Sequence, residues 1–243
     1  MTGHKPVRRN TIAHASLSGV GCLPRPLLLI TPTLSEYSAV RTAVTDWLAD
    51  GKLQLAMCGM GPACAAALCQ QLERSGWLGN MALIGWAGGL CPNLAAGDSV
   101  LADAAMNIHG QRVPLAPPNL PGTKVGALLT TPAPLLTQQA KKAVQKSNAL
   151  AVEMEAYPLA VWAAAHNLPF VHARVILDAA NEALPDLGDA LDAFGRVRPG
   201  RLAQRLLAQP PMTLDLLRLA YRAKKLEPNL KALARAVAAL WQQ

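Results

Sequence analysis

Aromatic side chains are scarce in this chain. Phe, Tyr and Trp make up 4% of its 243 residues, and Asp, Glu, Lys and Arg only 16%. No run of about 18 uncharged apolar residues occurs, so no transmembrane helix is expected. The five cysteines (Cys22, Cys58, Cys64, Cys69 and Cys91) form no C-x-x-C pair and no Cys/His cluster of zinc spacing. No metal site is expected, and an odd count without a disulfide framework suits a reducing cytoplasm. Cys58 lies in an apolar run and reads as a small core residue. The basic N-terminus (Lys5, Arg8, Arg9) is not followed by a compact apolar run of the secretory kind. Residues 1–24 read as a flexible extension.

Acids are nearly missing from one end. Residues 196–243 carry ten Lys and Arg against Asp215 and Glu227, whereas the other 195 residues carry thirteen of each sign. The formal net charge of +8 therefore belongs to the C-terminal segment alone. It is a poor signal for nucleic acid, because the only aromatics set among those basic residues are Tyr221 and Trp241.

What the chain does have is aliphatic bulk. Hydrophobic residues reach 51%, ample for one large α/β domain. Short apolar runs at Pro26–Thr31, Leu53–Cys58, Met81–Trp86, Ser99–Ala104, Val125–Leu129 and Pro169–Leu177 read as strands. Helices are expected from Ser35, as N-cap, through Leu48, from Pro62 to Arg74, from Ala133 to Lys146, and up to His166. The Pro-rich stretch 114–121 reads as a loop between strands. Strand, glycine turn and helix in repetition predict a three-layer αβα sandwich around a central mixed β-sheet.

Three segments carry chemistry. Gly85-Trp86-Ala87-Gly88-Gly89 follows a strand and reads as a glycine turn, either a simple tight turn or one that lets backbone approach a ligand. Val152-Glu153-Met154-Glu155-Ala156 sets two carboxylates in an apolar stretch. They either bind a ligand, such as a sugar diol, or serve a helix N-terminus. Asp178, at the end of the apolar run that starts at Pro169, is either an acid whose pKa burial has raised or a helix N-cap. His166 and His172 read as satisfied core or surface histidines rather than metal ligands.

Together, Cys58-Gly-Met-Gly61, Gly85–Gly89, Ala151-Val-Glu-Met-Glu-Ala156 and Pro169-Phe-Val-His-Ala-Arg-Val-Ile-Leu-Asp178 resemble the nucleoside phosphorylase family, especially its methylthioadenosine/adenosylhomocysteine nucleosidase branch. The resemblance implies a nucleoside phosphorylase-like catalytic domain over 25–195 that cuts the bond between adenine and a ribose-like sugar. It implies that Asp178 protonates N7 of the purine and Glu36 activates water. Glu155 would grip the ribose hydroxyls with Met154 packed on the sugar and Glu153 beside them. Gly85, Trp86, Ala87, Gly88 and Leu177 would line the site, with Pro134 and Leu135 as a shelf for the base. No cofactor is implied, and phosphate enters only as a candidate co-substrate. The phosphorylases place arginines near the strand-end glycines, whereas Leu83 stands here, so water is a credible nucleophile and the choice between water and phosphate stays open.

Two departures make the implied site more apolar: Trp86 and Leu177 stand where the nucleosidases carry hydroxyl residues. With the leucine-rich basic segment 196–243, they are similar to the hopanoid-associated phosphorylase branch, which implies adenosylhopane as substrate. Leu226, Leu230, Leu233, Val237 and Leu240 form one apolar helix face. That face packs either on its own domain or a twin subunit, or on an anionic membrane from the cytoplasmic side. Methylthioadenosine or adenosylhomocysteine is the alternative substrate, a non-catalytic adenosine binder the alternative of another class, and a homodimer the expected assembly.

Overall fold

The computed structural model describes residues 25–241; the extension expected over 1–24 lies outside them. The elements run β1 (Leu27–Thr31), α1 (Leu34–Ala43), α2 (Thr45–Ala49), β2 (Leu53–Met57), α3 (Pro62–Ser75), β3 (Asn80–Gly89) and β4 (Ser99–Asn107). There follow β5 (Arg112–Pro114), β6 (Thr123–Thr130), α4 (Gln138–Val144), β7 (Ala151–Glu153), α5 (Ala156–Ala165), β8 (Phe170–Asp178), α6 (Pro199–Ala208) and α7 (Met212–Ala239). The α/β fold with a central mixed sheet is the one expected.

The sheet order is β2-β1-β3-β7-β6-β4-β5, and β8 pairs with both β3 and β4. The parallel pairs are β1 with β2 and β3, β3 with β8, β4 with β6, and β6 with β7. The antiparallel pairs are β3 with β7, β4 with β8 and β4 with β5. Because β8 bridges β3 and β4, the strands β3, β7, β6, β4 and β8 close into a ring. Nothing in the run of apolar segments announces this closure, which depends on long-range pairing.

One side of the sheet packs Leu27, Leu29, Ala82, Ile84, Ala173 and Val175 against α1 and α7. The other packs Leu28, Ile30, Met81, Leu83 and Phe170 against α3 and α5. The alternation along β1 and β3 follows from the period-two direction of strand side chains.

Several boundaries differ from the sequence reading for identifiable reasons. Helix 35–48 is two helices broken at Val44, and its cap is Thr33, not Ser35: Thr33 and Glu36 form a reciprocal capping box. The helix expected from Ala133 starts after Thr137, whose side chain caps Ala140 N. The stretch Gly85–Gly89 is not a turn, for β3 runs through it and Gly88 and Gly89 pair with Val152 and Ala151 of β7. The short β5 was not anticipated.

The leucine face of the C-terminal segment is settled by packing. Leu230, Leu233, Ala234, Val237 and Ala238 lie in the same buried cluster as β1 and α1. This face covers its own domain and is not available to a membrane. No helix among the described residues is long and apolar enough to cross one.

Candidate active site

The chemistry-bearing side chains gather at the C-terminal ends of β1, β3 and β8 and at the junction of β7 with α5. At the centre is Arg174, one of the largest fully buried side chains. Its Nη2 donates to Glu153 Oε2 at 2.6 Å and to Glu155 Oε2 at 3.0 Å. Its Nε donates to His172 Nε2 at 3.1 Å, and its Nη1 to the Trp86 carbonyl at 3.4 Å. Burial alone would push the guanidinium pKa down, but Glu153, Glu155 and Glu36 outweigh it and hold it up. The sequence reading quoted Arg174 in a motif and gave it no role. An arginine inside an apolar strand was the available signal, since such a charge is tolerated only when paired.

The two acids of the Val152–Ala156 run have separate duties. Glu153 Oε2 accepts from the backbone N–H of Glu155 and of Ala156, each at 2.8 Å, while Thr130 Oγ1 donates to Oε1. With Arg174 added, its acceptor positions are committed to capping α5 and holding the arginine. Burial raises its pKa, and Arg174, His172 and these donors more than reverse the rise. These bonds to protein donors match the helix-terminus alternative of the sequence reading for Glu153. Among the described residues Glu155 takes two donors, Gly61 N at 2.9 Å and Arg174, which leaves lone pairs for a ligand. Burial, with Glu153 beside it and Arg174 opposing, pushes its pKa from 4.5 up to about 7. Met154 stands next to Gly61, within 3.8 Å of where a β-carbon would be.

Glu36 is buried and triply held. Oε2 accepts from Thr33 N at 2.8 Å and from Thr33 Oγ1 at 2.6 Å, and Oε1 from Trp86 N at 2.7 Å. Burial lifts its pKa against the pull of Arg174, Thr33 and Trp86. A methyl group on residue 85 would overlap both Arg174 Nη1 and Glu36 Oε1. The need for glycine there is this close approach, not a turn.

Asp178 ends β8 just after a bulge, where Ile176 faces Ala87 and Asp178 faces Gly88. Bulges re-aim the side chains that follow them, and both carboxyl oxygens lie over Gly88. Oδ2 accepts from Lys141 Nζ, which also donates to the Ala179 carbonyl at 2.6 Å. Burial raises the Asp178 pKa, and Lys141 opposes the rise. Lys141 was missed, because a lysine in a polar helical stretch reads as part of a solvated face. Gly85 and Gly88 lie three residues apart on β3, so the glutamate–arginine group and Asp178 are separated along that strand by on the order of 10 Å.

Trp86 does not play the part expected of it. The Trp86 side chain packs with Ala82 and Ile84 toward α1 and α7, because even-numbered positions of β3 face that layer. Its contribution here is backbone. Leu177 is the extra residue of the bulge and offers its carbonyl to Arg222. Ala87 is buried with Leu94, Val100 and Ile176. Leu135 packs on a cluster with Leu90, Leu129 and Val152. His172 is buried, and its pKa is pushed down to about 3 by burial and Arg174 against Glu153. Burial pushes the Cys58 thiol upward, so it stays protonated. No group of three or more His, Cys, Asp or Glu side chains among the described residues is placed to hold a metal ion.

The segment after Asp178 folds back over this region. Met60 N donates to the Ala193 carbonyl at 2.6 Å and Leu34 N to that of Phe194 at 2.9 Å. An apolar hollow of about 400 Å³, lined by Val113, Leu115, Phe170 and Trp241 among others, lies instead near the start of β8, away from Asp178.

Among solved structures, the chain is similar to a Helicobacter pylori methylthioadenosine nucleosidase mutant holding 5′-methylthioadenosine, at 11% identity and a TM-score of 0.63, covering 90% of this chain and 99% of that one. It is similar to the S-adenosylhomocysteine nucleosidase of Streptococcus pyogenes at 19% identity and a TM-score of 0.54, over 67% and 87% of the two chains. It is also similar to a futalosine hydrolase mutant of Helicobacter pylori at 11% identity and a TM-score of 0.54, over 63% and 88%. No curated protein matches. The family model described as Phosphorylase superfamily matches residues 26–122 and 116–208. As those matches take in every strand and the carboxylate–arginine group, the chain belongs to the Phosphorylase superfamily.

Proposed function

We propose that the protein cleaves the N-glycosidic bond of an adenine nucleoside with water as the nucleophile. The observation that carries this reading is the set of three buried carboxyl groups with upward-shifted pKa values, Glu36, Glu155 and Asp178, at the ends of strands that share β3 as neighbour. Departing adenine needs a proton at N7, and a protonated Asp178 supplies it through Oδ1, for which no protein donor is found among the described residues. Glu155 is placed to accept from sugar hydroxyls. Glu36, oriented by Thr33 and the Trp86 amide, takes the proton of the attacking water and offsets charge on the oxocarbenium-like sugar. The two fully buried cations among the described residues, Arg174 and Lys141, are both committed to carboxylates. A phosphate dianion at Arg174 would meet three carboxyl groups, which favours water.

The finer reading is a lipid-linked substrate, adenosylhopane. The Trp86 side chain, packed toward α1 and α7, no longer supports it. What supports it is the exposed apolar set Leu207 (82% exposed), Leu214, Leu217 and Tyr221 (72%) on α6 and α7, interspersed with the exposed Arg201, Arg218 and Lys225. This surface adjoins the segment after Asp178 through the Arg222–Glu182 and Arg205–Asp189 ion pairs, as suits a substrate held in a membrane. The likeness to methylthioadenosine nucleosidases supports methylthioadenosine as the second candidate.

The test measures adenine released from adenosylhopane in detergent and from methylthioadenosine, each with and without phosphate. Release that survives phosphate removal and falls by about 10²–10⁴ in Asp178→Asn is expected. Absence of adenine from both, with circular dichroism unchanged, would replace the enzyme with an adenosine-binding protein.

A further inference from the structure

Lys141 is fully buried, which a lysine tolerates only with a partner. The fold brings it from α4 onto Asp178 Oδ2 and the Ala179 carbonyl. Lys141 therefore occupies Oδ2 and leaves Oδ1, for which no protein donor is found among the described residues. We propose that Lys141 is the positioning residue that makes Asp178 a usable acid: its ammonium fixes one carboxyl oxygen and stabilises the carboxylate left when the proton has passed to the purine. This inference rests on Asp178 acting as the acid in the proposed reaction.

The balance is simple. The Asp178 O–H bond breaks as the N7–H bond forms. The C1′–N9 electron pair goes to adenine, C1′ bonds the oxygen of the attacking water, whose proton passes to Glu36, and the negative charge left on Asp178 lies against Lys141. Glu36 then gives its proton to solvent, and solvent returns one to Asp178. Without the ammonium, a carboxyl group buried to this degree would hold its proton too tightly to release it in the transition state. Other charges near Asp178 largely compensate one another. Glu182 raises its pKa and Arg222 lowers it, and these two are paired at 2.6 and 3.0 Å. Lys141 is the cation that touches the acid itself.

A merely structural Lys141 and an acid-tuning one differ in the pH profile. Protonated Asp178 is the active form, so kcat falls as pH rises through its pKa in the complex. Removing the cation raises that pKa. Lys141→Met is expected to move the alkaline limb of kcat upward by about 1–3 pH units, the usual effect of an adjacent opposite charge. The rate on the low-pH plateau is expected to fall, because the acid is weaker. Lys141→Arg keeps the charge and should leave the limb near its wild-type position. Loss of the lysine leaves a carboxyl group that can stay neutral, so the variant should fold. If Lys141→Met does not accumulate, Lys141→Gln, a donor without charge, is read in the same way.

A limb at the same pH in wild type and both neutral variants, with only a uniform loss of rate, would overturn the inference while leaving the proposed reaction standing. A wild-type protein that releases no adenine at any pH, or full activity in Asp178→Asn, would remove the acid itself and overturn both.

Discussion

Replacing Glu155 with Gln should change how stability depends on pH, and the size follows from the site. Glu155 is nine-tenths or more buried between Arg174, Glu153 and Gly61, which pushes its pKa from 4.5 to about 7. Between those two values the folded protein keeps a proton that the unfolded chain has already lost. Stability therefore falls as pH rises across that window. The contribution is fully present below pH 4.5, is lost progressively toward pH 7, and is gone above it. At about 1.4 kcal/mol per pH unit, the loss is on the order of 3 kcal/mol. Glutamine cannot titrate, so Glu155→Gln lacks this component, whatever constant offset comes from its altered bond to Arg174. Urea unfolding of both proteins from pH 4 to pH 8 isolates it: the variant should gain on the wild type by on the order of 3 kcal/mol across the range. A stability difference independent of pH would mean that Glu155 is ionised in the fold throughout, and would remove the buried-carboxyl reasoning for the site.

Glu153→Ala should cost about 3–5 kcal/mol, because it leaves Arg174 short of a partner and strips the acceptor from the backbone N–H groups of Glu155 and Ala156 at the start of α5. In urea unfolding, a loss under about 1 kcal/mol, the ordinary effect of a substitution, would show that Glu153 is dispensable. Gly85→Ala should destabilise by about 1–3 kcal/mol through overpacking and reduce adenine release. Gly200→Ala meets open space in α6 and should raise the melting temperature slightly; equal behaviour of the two would contradict the close approach at Gly85. Thr33→Val should cost about 1 kcal/mol through the lost cap. It should also lower kcat more than it raises KM, since Glu36 loses the Oγ1 donor, one of its three; an unchanged kcat would take Glu36 out of the reaction.

The sequence alone determined the local grammar. Apolar runs bounded by glycine and proline placed β1, β2, α3 and β8 within a residue or two, because burial of a short strand or a helix face is written directly in its period. Glu155 and Asp178 stood out because acids in apolar surroundings are conspicuous, whereas Glu36 was named only through the resemblance to the nucleosidases. Tertiary structure decided what those acids do. Glu153 and Glu155 look equivalent in sequence, yet one caps α5 and holds Arg174 while the other keeps lone pairs free, and only the docking of β7 beside β3 separates them. Gly85–Gly89 read as a turn because glycine favours turns locally, whereas pairing with β7 and the approach of Arg174 and Glu36 made it strand. The leucine face of α7 was open to membrane or core until packing closed it. Lys141 was invisible, because a lysine's partner 37 residues away leaves no mark on its own helix. Charge pairs across a sheet are long-range contacts, and a linear pattern records only what a residue's neighbours in sequence require of it.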